Sequence, residues 1–258
     1  MASGVCLKAM ETAARHLTIT GELAAGLVVM TLLVMLFAWS VGTDGVFVAL
    51  ALAMYLLLAL GLAAAARGHP TGFGWANRVT LVRAMLVIVL AAALVEPAIY
   101  REIGWWLATI ALLALILDGV DGWLARRFDQ QTGFGARFDM EVDAALVMVL
   151  CLGVMATGKV GPWVLAIGLM RYVFVVLTAL WPWMDRPLPA SFRRRLVCVW
   201  QVVSLLVVLT PLAGPAFSTL GLTVALLLLI ASFAADVAWL YRHRAASGSG
   251  LRRQPPGP

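Results

Sequence analysis

The chain has 258 residues, of which 63% are hydrophobic and only 12% charged, about half the charged share of a soluble domain. That balance excludes an ordinary soluble globular domain and predicts an all-α polytopic membrane protein, since helices satisfy their own backbone in lipid. The net charge of +6 comes mostly from Arg clusters near helix ends, so it reports topology and gives no ground for nucleic-acid binding.

In chain order, residues 1–20 mix Ala, Leu and Met with Lys8, Glu11, Arg15 and His16. That pattern suits an interfacial amphipathic helix, or a disordered leader. No cleavable signal is evident, because the first long apolar run starts after Glu22 and another soon follows. Residues 23–40 and 45–66 are the first two predicted spans. The segment 67–76 carries Gly, His and Pro and breaks the pattern. Asn77 to Arg83, NRVTLVR, then leads into the apolar run 84–95.

The run 105–117 is too short to span alone, so its helix must continue through Asp118 to Arg127. Likewise residues 138–143 must belong to the helix continued by 144–156. Further spans are predicted at 160–183, 196–212 and 217–241, with a disordered Ser/Gly/Pro/Arg tail from 245, for eight spans in all. Lys and Arg concentrate on one side of this alternation. That places both termini and the acidic stretch on the cytoplasmic face of a bacterial-type inner (plasma) membrane. Cys6, Cys151 and Cys198 lie far apart and are expected to be packing residues, while the scattered His16, His69 and His243 suggest no zinc site.

Between Asp118 and Asp143 the chain carries four ordered aspartates in an otherwise apolar sequence. Asp118 and Asp121 are three apart, and Asp139 and Asp143 four apart, which puts each pair on one helix face. Solvated helix caps are the competing reading. Clustered carboxylates at a membrane boundary need compensation, and a hard divalent cation, or two, supplies it.

The order D-x-x-D-G-x-x-A-R, eight residues, then G-x-x-x-D-x-x-x-D resembles the signature of the CDP-alcohol phosphotransferase (CDP-alcohol phosphatidyltransferase) family. NRVTLVR resembles the family's N-x-x-T-x-x-R helix opening. The likeness covers roughly residues 68–244 and implies a six-helix core, with 1–67 holding a leader and two additional spans, and 245–258 a tail. It implies transfer of a phosphatidyl group from CDP-diacylglycerol to a small alcohol, with release of CMP. It further implies two ions (Mg2+ or Mn2+) held by Asp118, Asp121, Asp139 and Asp143, with Asp143 as general base and Asp139 beside it. Asn77, Thr80, Gly122, Ala125, Arg126, Thr132 and Gly135 match positions around the cytidine diphosphate. Family members resemble homodimers. The expected partners are thus the lipid donor, the alcohol, membrane lipids and a second copy.

Glu141 is expected to point away from the paired aspartates, and Asp129 to be a solvated turn residue. Arg83 reads as a snorkelling anchor or a phosphate ligand. Arg171 lies mid-span and must face a polar cavity or pair with an acid. Together with Arg193 and Arg195 in the 193–195 run, these arginines suggest a pocket for an anionic acceptor such as a polyol phosphate. Arg195 and Gln201 reproduce a spacing common in the family. Position 144, basic in several members that use glycerol phosphate, is Ala here. Other acceptors (serine, choline, inositol) and a soluble CDP-alcohol donor with a lipid acceptor remain open. An ion-coupled transporter is the reading from another class, but no repeat of broken helices accompanies the clustered acids.

Overall fold

The apolar runs fold as helices packed side by side, with no strand among the described residues. The computed structural model describes residues 2–66, 74–128, 132–181, 184 and 191–243, with side chains from residue 19 onward. The expectations for Asp129 and for the tail from 245 fall outside these residues.

Helix α1 (Ala2–Val41) is followed by α2 (Gly45–Ala66) and α3 (Trp75–Ala92). A 3-10 turn and the short α4 (Pro97–Glu102) lead into α5 (Gly104–Arg127) and α6 (Gly133–Ala156). Another 3-10 turn, Pro162–Val164, opens α7 (Leu165–Leu180), then come α8 (Phe192–Leu209) and α9 (Pro215–His243). The expected separate leader and first span are instead one continuous helix. Gly21, the strongest breaker between them, costs only ~1 kcal/mol in a helix, and α1 runs through it.

Among the described residues, six helices are long and apolar enough to cross a membrane: Ile19–Val41, Gly45–Ala65, Trp75–Val95, Gly104–Arg127, Pro162–Leu180 and Pro215–Arg242. The chain is an all-α polytopic membrane protein. The other two predicted spans, α6 and α8, fall short of that apolarity. Arg137, Asp139, Glu141 and Asp143 stand in the first half of α6, and Arg193–Arg195 in the first turn of α8.

Helix α3 is the centre of the bundle. Its second half, residues 84–92, is apolar around the whole circumference, the pattern of a buried helix, and twelve of the eighteen residues of α3 are buried. It packs most extensively on α5, then on α6 and α2. By contrast α7 buries only Ile167 and Gly168 and turns Leu169, Val173, Val175 and Val176 outward, as a lipid-facing helix does. Lys159, after α6, donates to the carbonyls of Val208 (2.8 Å) and Thr210 (2.5 Å). Its ammonium therefore caps the C-terminal end of α8.

The first two helices dock on α3. Tyr55 on α2 donates to the carbonyl of Leu23 on α1 at 2.8 Å. Glu22 pairs with Arg78, whose guanidinium lies 4.4 Å from the Trp75 ring centroid. Gly26 permits this approach: a Cβ there would lie 2.2 Å from Tyr55 Oη and 3.0 Å from Met85 Cε. Gly26→Val is therefore expected to destabilise the purified protein by about 1–3 kcal/mol through overpacking. A thermal melt in detergent checks this; a melting temperature equal to that of the unaltered protein would mean that α1 is not held at this contact.

Candidate active site

Asp118 and Asp121 sit one turn apart on α5, and Asp139 and Asp143 one turn apart on α6. Helix α5 carries Arg126 and Arg127 in its last turn, where cations favour the dipole. Helix α6 starts where it does because Thr132, in extended backbone (φ −120°, ψ 149°), accepts a hydrogen bond from Gly135 N at 3.0 Å. Between the two acidic edges α3 inserts Arg83.

Arg83 is fully buried, and its guanidinium contacts all four aspartates. Nη1 bonds Asp121 Oδ2 at 2.6 Å and Asp139 Oδ1 at 2.5 Å. Nη2 lies 3.1 Å from Asp118 Oδ1 and bonds Asp143 Oδ1. The side chain therefore does not snorkel to the interface. It is the cation at the centre of the acids, drawn in by a charge that would otherwise be buried without compensation. Thr80 Oγ1 lies 2.9 Å from Asp121 Oδ2 and 3.0 Å from the Ala76 carbonyl, sharing one proton between them.

One guanidinium does not satisfy four carboxylates. Asp118, Asp121 and Asp139 each place a carboxylate oxygen within 4.8 Å of the others. Asp121 is 2% exposed, and its Oδ1 is buried with no hydrogen-bond partner. Three carboxylates this close, one of them with a buried and unpaired oxygen, make a donor set for a hard divalent cation. These three residues fit such an ion. Asp143 stands beside them through Arg83, outside the three-residue group.

Two cavities flank this cluster. The first, of about 330 Å³, is lined by Asn77, Thr80, Asp121, Gly122, Ala125, Arg126, Thr132, Gly135 and Asp139, with Ala76 and Ala136. It brings together all seven residues expected around the cytidine diphosphate. The second, of about 440 Å³, is mostly apolar and reaches Asp118 and Asp143 from the other side, with Arg171, Arg195 and Gln201 as its further polar residues.

Of the four arginines expected at an acceptor pocket, Arg171 and Arg195 line the second cavity. The other two do not: Arg83 is held by the aspartates, and Arg193 bonds Asp236 at 2.7 Å. Arg171 also bonds Glu141 at 2.7 Å, so the mid-span cation has both the acid and the cavity its position demands. Glu141 points outward, as its helical register requires, and is 64% exposed. Gln201, noted in the sequence only for its spacing from Arg195, lines the second cavity with it. Ala76 and Ala136 gave no signal, being small residues among many.

Gly135 serves the wall of the first cavity. A Cβ there would lie 2.7 Å from Asn77 Oδ1 and 3.1 Å from Thr132 Oγ1, so the close neighbour is the protein's own wall. At Gly122 a Cβ would meet only the mobile end of Arg126, at 3.3 Å. Gly135→Ala is thus expected to displace Asn77 and weaken donor binding about tenfold, the effect of roughly 1.4 kcal/mol lost from one contact. The check is the KM for the CDP-linked donor at fixed acceptor; an unchanged KM would separate Asn77 from donor binding.

Comparison with known proteins follows the same residues. The profile of the CDP-alcohol phosphatidyltransferase family matches residues 73–237. A "Probable phosphatidylglycerophosphate synthase" of Mycobacterium tuberculosis is 31% identical over 144 residues, covering 54% of this chain and 68% of that protein; the match recurs in two strains. A "CDP-diacylglycerol--glycerol-3-phosphate 3-phosphatidyltransferase" of Cereibacter sphaeroides is 34% identical over 74 residues, 28% of this chain and 34% of that protein. No solved structure gives a significant match.

Proposed function

The chain belongs to the CDP-alcohol phosphatidyltransferase family, and from that premise we propose that it moves a phosphatidyl group from CDP-diacylglycerol to a polyol phosphate. It is a membrane-embedded transferase of phospholipid biosynthesis. The observation carrying the finer reading is the acid cluster between two cavities, one lined by Asn77 and Arg126 and the other by Arg171 and Arg195.

In this reading the first cavity takes the cytidine diphosphate. Asn77 and Thr132 form its walls, and Arg126 offers a cationic partner for phosphate oxygens. Asp118, Asp121 and Asp139 would hold the divalent ion, with Asp143 the fourth carboxylate; a bound ion, or a pair, supplies charge neutralisation for the pyrophosphate. Arg171 and Arg195 hold the acceptor's phosphate in the second cavity. Asp143, on the wall of that cavity, takes the proton of the acceptor hydroxyl. The hydroxyl oxygen forms a bond to the lipid-linked phosphorus, the bond from that phosphorus to the CMP phosphate breaks, and CMP leaves.

The names of the relatives put glycerol 3-phosphate first among acceptors to test. Ala144, on the wall of the second cavity, leaves that cavity without the basic residue expected there, so Arg171 and Arg195 must supply its positive charge. Residues 68–244 are the proposed catalytic core, with 1–67 as an added helical unit docked on α3. The proposed orientation puts the acid cluster and both termini in the cytoplasm, following the Arg and Lys bias. The proposed assembly is a homodimer.

The test is a panel of glycerol 3-phosphate, inositol phosphate, serine, inositol and choline, each incubated with labelled CDP-diacylglycerol and magnesium or manganese. The lipid product is read by mass. A phosphate-bearing lipid product with release of CMP is expected. Incorporation of only the uncharged or zwitterionic acceptors would overturn the polyol-phosphate reading.

A further inference from the structure

Resting on the polyol-phosphate reading above, we propose that Gln201 recognises the acceptor's non-reacting hydroxyl and so sets which polyol phosphate is used. Gln201 is on α8 and only 6% exposed. It lines the second cavity together with Asp143, Arg171 and Arg195. Its Nε2 is buried and has no hydrogen-bond partner among the described residues. Of its neighbours along the helix, Val197, Val202 and Leu205 are buried and apolar, and Cys198 and Ser204, three residues to either side, leave its Nε2 unpaired. A buried amide left unpaired beside a cavity is a group kept for something that enters the cavity.

The chemistry of the amide narrows what that is. The two arginines already supply charge for a phosphate. A neutral amide presents one donor group and one acceptor oxygen in one plane, and a hydroxyl, itself donor and acceptor, matches both. The reacting hydroxyl belongs to Asp143 on the same cavity wall. The hydroxyl left for Gln201 is a second one, which polyol phosphates carry and simple alkanol phosphates lack. A pocket built to hydrogen-bond a hydroxyl discriminates strongly against an analogue without it, because its own buried polar group is then stranded.

The experiment uses the full-length enzyme in mixed micelles with CDP-diacylglycerol and magnesium. Two acceptors are compared: glycerol 3-phosphate and 3-hydroxypropyl phosphate, which lacks only the central hydroxyl. The proteins are the unaltered enzyme, Gln201→Leu and Gln201→Met, the last keeping the length of the side chain. CMP release gives kcat/KM for each pair. The unaltered enzyme is expected to prefer glycerol 3-phosphate by roughly tenfold or more, the worth of one hydrogen bond to a buried polar group. Both variants should lose most of that preference by losing turnover of glycerol 3-phosphate alone, with 3-hydroxypropyl phosphate used about as well as before. No preference in the unaltered enzyme, a preference intact in both variants, or equal losses on both acceptors would overturn the role of Gln201 alone. An unaltered enzyme that uses neither phosphate but does use serine, inositol or choline would overturn the polyol-phosphate reading, and this inference with it.

Discussion

Asp143→Asn is expected to lower CMP release from CDP-diacylglycerol by about 10²–10⁴-fold, the usual contribution of a positioned general base. The substitution keeps the shape of the side chain and removes its ability to take a proton. Asp143 is the candidate because of where it stands. It lies outside the group formed by Asp118, Asp121 and Asp139, and it lines the cavity that Arg171 and Arg195 also line. Its own anchor is Arg83 Nη2, which an Asn oxygen still accepts from, so the fold should survive. Donor binding, read from the KM for CDP-diacylglycerol, should change little. Turnover equal to that of the unaltered enzyme would remove Asp143 from the proton transfer.

The second large effect is on stability. Arg83→Gln takes away the one guanidinium that touches all four aspartates and leaves them facing one another with no cation from the protein. Removing one partner of a buried ion pair costs ~3–5 kcal/mol. For a chain of this size that corresponds to a fall in melting temperature of roughly 6–20 °C, measured in detergent with a chelator present. Magnesium or manganese should recover more of the loss in the variant than it adds to the unaltered protein, because the ion then has the carboxylates to itself. Arg83→Lys should fall between the two, since a compact ammonium cannot reach all four acids with a planar fork. A Gln variant as stable as the unaltered protein in chelator would show that the aspartates need no compensating charge.

Both effects depend on what was readable in one dimension and what was not. The length and apolarity of the runs determined the helical membrane class, because a bilayer leaves so few ways to satisfy a backbone. The three- and four-residue spacings determined that Asp118 and Asp121 share a face, as do Asp139 and Asp143, since helical register is local. The shortness of the run 105–117 already required that helix to carry its acids inward, and α5 does. The residues that the family resemblance implied around the cytidine diphosphate line one cavity; the resemblance named them, through a motif long and fixed in spacing.

Packing between helices decided the rest. Arg83 closed the NRVTLVR motif but read as a snorkelling anchor or a phosphate ligand; only the meeting of α3 with α5 and α6 makes it the cation shared by four acids. Arg171 and Glu141 are thirty residues apart, and Arg193 and Asp236 forty-three, so no local pattern pairs them. Gly135 is needed because Asn77 arrives from another helix, and Gln201 is stranded because α8 turns it toward a cavity walled by its neighbours. Sequence periodicity says which face of a helix is polar. Which faces meet, and which polar groups are left without a partner when they do, is settled by side chains brought together from distant parts of the chain, where burial makes every unpaired charge or amide costly.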